Sequence, residues 1–272
     1  VFDPVESTLS KHVYFVSNNL TSPSSFDTSL IPVGEYTLRL FAIDTRENLA
    51  ESFVDISISR RDLVPPAPPV FHSVTLDAGR PILTVKQAPE PDLAGFRLFS
   101  STNNASWTQV ADEFDLPATD SIFETADSLT SATYFHFLAA DSVSPANVSE
   151  QSDVYGAFNG SFKERVLIVD GFDRTEVAGS WEQSWHSFAY LHGLSVKANK
   201  YTFETCANEA VEDSSISLLD YDAVVWILGD ESTRDETFSS VEQAHVKLYL
   251  ESGGNLFVSG SELGWDLQGS SA

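Results

Sequence analysis

The chain has 272 residues, with 15 Lys plus Arg against 40 Asp plus Glu, a formal net charge of −25, one cysteine and no methionine. Acids spread along the whole length repel nucleic acid and anionic membrane surfaces. The lone Cys206 excludes an internal disulfide framework and any multi-cysteine zinc site, and no apolar run approaches the roughly 18–20 residues that span a bilayer.

This length suits two or three modules. Residue 1 is not Met and no basic, apolar leader follows it, so the chain reads as a piece of a longer polypeptide that continues upstream of Val1 and downstream of Ala272, and the missing leader says nothing about compartment. The covered part contains no membrane span, and its oligomeric state is open.

Residues 1–62 are rich in Val, Ile, Phe, Thr and Tyr in alternating runs, at 36–43 and 52–58. A period of two argues for strands, and the polar stretch between the runs makes them a hairpin, the last two strands of an immunoglobulin-like sandwich. Residues 63–69 include Pro65-Pro66-Ala67-Pro68-Pro69, which cannot donate a ladder of hydrogen bonds and reads as a stiff linker.

Residues 70–160 resemble a fibronectin type III domain. A strand at 82–85, the turn Pro91-Asp92-Leu93-Ala94-Gly95, a strand at 96–99, Trp107, and Leu129 ahead of the aromatic run Tyr134-Phe135-His136-Phe137 carry the resemblance. It implies Tyr134 or Phe135 as the tyrosine-corner residue. His136, in mid-strand with no partner motif, reads as structural.

After Gly160 the pattern changes to strand–helix alternation over residues 163–272. Val166-Leu167-Ile168-Val169 and Val224-Val225-Trp226-Ile227-Leu228 are continuous apolar runs of the buried parallel-strand type. Residues 181–192 have helical spacing. So do 235–251, where Phe238, Val241, His245, Leu248 and Tyr249 share a face and Gly253-Gly254 ends the helix. Leu256-Phe257-Val258 is the next strand. The expected fold is therefore multidomain: immunoglobulin-like/fibronectin type III sandwiches followed by an incomplete doubly wound α/β three-layer domain with a parallel sheet.

In such sheets ligands sit beyond the carboxyl ends of the strands. Those ends carry Asp170, Asp173, Asp230, Glu231, Ser261, Glu262 and Trp265, with Asn208 opening a polar segment between strands. Glu262 and Asp230 are the candidate catalytic acid and base; Asp170, Asp173, Glu231, Ser261, Trp265 and Asn208 are candidate pocket residues. The carboxylates could hold Ca²⁺ or Mg²⁺, although nothing in the sequence requires a metal, or could hydrogen-bond sugar hydroxyls. The bland reading is helix caps and solvated acids, with Trp265 covering the sheet edge. His186 and His192 are six apart, which does not put two ligands on one helix face, and Cys206 reads as a small buried hydrophobe.

The phrases Val166-Leu167-Ile168-Val169-Asp170-Gly171-Phe172-Asp173-Arg174, Asn208-Glu209-Ala210-Val211, the strand around Trp226, and Gly253-Gly254 through Leu267 resemble bacterial exported proteins labelled xanthan lyase or golvesin-type. Their α/β domain is similar to class I glutamine amidotransferases. The resemblance implies an extracellular or cell-envelope location and a polysaccharide or cell-wall glycan as partner. Such amidotransferases place a Cys nucleophile at the strand-to-helix turn, where this chain has Glu262, so glutamine hydrolysis is excluded. Three readings stay open: a carbohydrate-binding module, a polysaccharide lyase or hydrolase using strand-end carboxylates, and a non-catalytic adhesion or structural module.

Overall fold

The computed structural model describes residues 32–43, 45–59, 62–87, 90–174, 183–230 and 237–269. They fall into two compact units, 1–63 and 64–272. In the first, β1 (Gly34–Ile43) and β2 (Leu49–Ile58) pair antiparallel over ten residues each. The expected hairpin is present, and a Thr37 hydroxyl donating to Asp55 (2.8 Å) ties its strands.

The second unit is predominantly β-sheet. Its chain runs β3 (Val70–Asp77), β4 (Arg80–Lys86), β5 (Leu93–Ser101), β6 (Thr108–Ala111), β7 (Ile122–Glu124), β8 (Thr133–Asp141), β9 (Val148–Gln151) and β10 (Tyr155–Ala157). It continues through β11 (Arg165–Asp170), α1 (Phe188–Ala198), β12 (Thr202–Ala207), α2 (Glu209–Glu212), β13 (Ala223–Gly229), α3 (Ser240–Glu251), β14 (Asn255–Gly260) and α4 (Leu263–Gly269).

Strands β3, β4 and β7 face a second sheet of β10, β8, β5 and β6, with β9 also on β8, and the two inner faces make a sandwich. Its core is aromatic: Phe71 meets Phe137 edge-on at 4.9 Å, and Phe96 and Phe123 pack on the same ring. His136 lies against Phe99 and Trp107 on the other side of its strand, where burial pushes its pKa down to about 4 and keeps the ring neutral. The Tyr134 hydroxyl donates to the carbonyl of Tyr190 in α1 at 3.5 Å. The hydroxyl of this tyrosine-corner candidate thus points to α1 rather than within the sandwich.

The sandwich and the strands that follow Gly160, expected as successive modules, share one sheet. Its order is β14-β13-β11-β12-β3-β4-β7: β11 to β14 pair in parallel, and β12 meets β3 antiparallel through Thr205–Val74 and Cys206–Ser73. Only two residue pairs make that junction, but polar bonds reinforce it. The buried Glu204 carboxylate accepts from Arg165 at 2.8 and 2.9 Å and from the Leu76 amide at 3.1 Å. The Thr205 hydroxyl exchanges 2.8 Å bonds with Gly156. Across the sheet's other face, the buried His72 of β3 and Lys86 of β4 both pair with Asp213 beyond α2.

Alternation along β11 divides the interior. Val166 and Ile168 join the sandwich core together with Ala189 of α1 and Phe203 of β12. Leu167 and Val169 face a second core of Trp226, Tyr249, Val211 and Leu218, covered by α2 and α3. Elements on both faces explain why these strands read as unbroken apolar runs.

Two helices differ from expectation. Over 235–251, the helix begins only at Ser240, where Ser239 and Glu242 form a reciprocal capping box. Its buried residues are Glu242 and Tyr249, while Val241 and Leu248 are 44% and 51% exposed, so the inward face is rotated from the apolar stripe. The earlier helix runs over Phe188–Ala198 rather than ending at His192.

Candidate functional site

The carboxyl ends of β11, β13 and β14 lie side by side, and the strand order reverses between β11 and β13. After β13 and β14 the backbone enters the left-handed region and leaves the strand conformation. Gly229 ends β13 at φ +47, where a Cβ would also come within 2.8 Å of the Phe172 ring. The turn after β14 is closed by the Ser261 amide donating to the Gly229 carbonyl (2.8 Å) and by Trp265 and Asp266 amides donating to the Glu262 carbonyl (2.9 and 3.1 Å).

Glu262 is the left-handed residue of this turn, at φ +57. Such a conformation costs an L side chain on the order of 1–2 kcal/mol and is held here by the flanking bonds. Its carboxylate is exposed. Next to it the Ser261 hydroxyl donates to Asp230 Oδ1 at 2.8 Å, so Ser261 orients Asp230. Arg174 reaches the same turn, donating to the Asp230 carbonyl at 3.0 Å with its guanidinium 4.0 Å from the carboxylate. Trp265, three residues after Glu262 on the first turn of α4, is 72% exposed. The expectation that it covers the sheet edge is corrected: α4 turns its indole outward.

The remaining pocket candidates separate. Asp173 accepts from the Asn208 side chain at 3.3 Å, and the Asn208 amide donates to the Asp170 carbonyl at 2.8 Å. Asn208 precedes α2 without capping it through its side chain. Glu231 lies outside the described residues. Asp170 is not at the rim, because alternation aims it to the α1 face, where it is 3% exposed. The expected convergence of these carboxylates on one pocket is therefore corrected, and among the described residues no three His, Cys, Asp or Glu side chains gather as a metal-holding group.

Asp170 has a partner that helical spacing did not reveal. His186, also buried, lies between Asp170 (Nε2–Oδ2 2.8 Å) and Asp153 (Nδ1–Oδ1 2.9 Å). Neither ring N–H is aligned on its oxygen, so the contacts are ion pairs more than directed hydrogen bonds. Burial alone would lower the His186 pKa, but the charges of Asp170 and Asp153 outweigh it and raise the pKa to about 11. Burial pushes the Asp170 carboxyl up against the opposing pull of His186. The only signal in the sequence was a lone histidine six residues from another.

His192, one of that pair, lines an open cleft of about 260 Å³ with Phe188, Leu191, Ile227 and Ser259, reaching Gly229 and Gly260 beside the rim. Burial lowers its pKa and favours the neutral ring. Cys206 is fully buried and its thiol is pushed far up by burial, as suits a packing residue. The arrangement thus offers an exposed aromatic plate, exposed carboxylate acceptors and an adjoining apolar cleft.

No protein-family model matches the chain, and no curated protein matches it. Among solved structures the chain is similar to the rat CD45 extracellular region, domains d3-d4, at 14% identity over 56% of this chain and 76% of that one, with a TM-score of 0.25. No helix among the described residues is long and apolar enough to cross a membrane.

Proposed function

We propose that the protein is an exported, cell-envelope or extracellular module that binds carbohydrate at the rim formed by Asp230, Ser261, Glu262 and Trp265. The supporting observation is the exposed Trp265 indole one helical turn from the Glu262 carboxylate. A pyranose presents an apolar C–H face and a ring of hydroxyls. An indole plate covers the first and carboxylate oxygens accept from the second, whereas a purely structural turn gains nothing from an indole in water.

In this proposal the strands from β11 onward are the doubly wound, amidotransferase-like domain of the xanthan lyase/golvesin-type resemblance. The order β12-β11-β13-β14 supports it, being the first four strands of a 2-1-3-4-5 sheet, whose ligand site falls at the same ends. Glu262 in place of a Cys nucleophile supports binding over acyl transfer.

The left-handed backbone of Glu262 favours a second reading, a lyase or hydrolase with Glu262 and Asp230 as acid and base, because strain of this kind collects at catalytic turns. One experiment separates the two. Acidic polysaccharides and peptidoglycan fragments are incubated with the chain and with Trp265→Ala, Glu262→Gln and Asp230→Asn, and both binding and cleavage products are measured. Binding is expected to weaken about tenfold in Trp265→Ala with no product formed by any protein. Product lost in Glu262→Gln establishes the enzyme reading, and a panel in which nothing binds or is cleaved removes both.

A further inference from the structure

The segment that leads into α1, residues 184–187, is held by the sandwich at every position but one. Ser184 donates to Glu150 of β9 at 2.6 Å, and the His186 amide donates to Asp153 at 2.7 Å. The Val154 amide donates back to the His186 carbonyl at 3.0 Å, and the Asn104 side chain donates to Ser187 Oγ at 3.0 Å. The imidazole then carries the connection inward, from Asp153 in the break between β9 and β10 to Asp170 at the end of β11.

The other end of the same loop belongs to the rim. Gly171 donates to the Ile227 carbonyl at 2.8 Å, Asp173 meets Asn208, and Arg174 bonds the Asp230 backbone. Phe172 lies edge-on to His186 at 5.2 Å and against Phe188 at 5.4 Å, so the first residues after β11 pack directly on the clamped ring.

We infer that the sandwich is a positioning element of the rim: Asp153, acting through His186 and Asp170, holds the β11–α1 loop that carries Asp173 and Arg174. The sandwich is then no detachable spacer, and the geometry around Asp230 depends on a charge pair that one module supplies to the other. The titratable groups facing the imidazole are Asp153 and Asp170, with Tyr155 of β10, His192 of α1 and Cys206 of β12 within reach of the Asp170 charge, and the uncharged Phe172 and Phe188 lie against the ring.

The test needs no ligand, so its failure and that of the carbohydrate reading are distinguishable. Amide hydrogen exchange and the His186 ring resonances are followed with pH in the full chain, in Asp153→Asn and in Asn104→Ala. The Asn side chain keeps an acceptor for the His186 amide and removes only the charge. In Asp153→Asn, exchange at 184–188 is expected to rise about tenfold, with 171–174 rising alongside, and the His186 midpoint to fall by roughly one pH unit or more. Asn104→Ala should loosen 184–187 less and leave the His186 midpoint in place. A His186 midpoint unchanged by Asp153→Asn overturns the inference. So does loosening at 184–188 that leaves exchange at 171–174 at the wild-type rate.

Discussion

Two sets of carboxylates follow parallel strands of the same sheet and have opposite fates. Asp170 ends β11 buried against a charged imidazole, whereas Asp230 and Glu262, after β13 and β14, lie in solvent, where a serine and the backbone orient them. All three are acidic side chains of the same charge. What separates them is which face each strand end presents and whether another layer covers it. β11 is central and lies under α1 and the sandwich, while β14 is the last strand of the sheet and the turn after it faces water.

Burial sets what each carboxylate is worth. Removing one member of a buried charge pair leaves the other unpaired in a low-dielectric interior, so Asp170→Ala should destabilise the protein by about 3–5 kcal/mol, measured as a shift of the urea unfolding midpoint at constant slope. If it costs no more than a surface substitution, the contrast between the two sets fails.

A second effect is read from pH. The folded pKa of His186, about 11, lies above the ordinary value near 6.5 of an unfolded chain. Its contribution is therefore complete below about pH 6.5 and is lost as pH rises through 11. Urea midpoints measured from neutral to alkaline pH should fall in the wild-type chain, and His186→Gln should flatten the part of that fall due to this residue. A wild-type slope identical to that of the variant would remove His186 from the junction's energetics.

The smallest effect has the opposite sign. Glycine at position 262 relieves the left-handed strain of an exposed residue, and Glu262→Gly should stabilise by about 0.5–1 kcal/mol while weakening any ligand that the carboxylate holds. Together with Trp265→Ala, which should be neutral for stability, it marks the rim as a place where residues are kept without benefit to folding.

Much of the backbone plan was legible in residue order. The alternation at 36–43 and 52–58 became a hairpin, and the apolar runs at 166–169 and 224–228 became buried parallel strands. Helix starts were read less well, because Ser239 with Glu242 sets the boundary of α3 more strongly than the apolar stripe that begins before it. Of the site, the turn at Ser261 and Glu262 beside Asp230 could be placed from the sequence. The withdrawal of Asp170 to His186 could not, nor could the cleft beside His192.

Local propensity and periodicity, which act over a few residues, were thus enough to specify strands, turns and the presence of acids at strand ends. Only the tertiary structure decided which of those acids keep their water. It did so through contacts between residues far apart in sequence: β3 pairing with β12, Asp153 meeting His186 across more than thirty residues of chain, and α1 packing over β11 and β12 while the edge strand β14 stays largely exposed. Desolvation depends on what lies on the far side of a side chain, and no spacing within a single strand or helix encodes that.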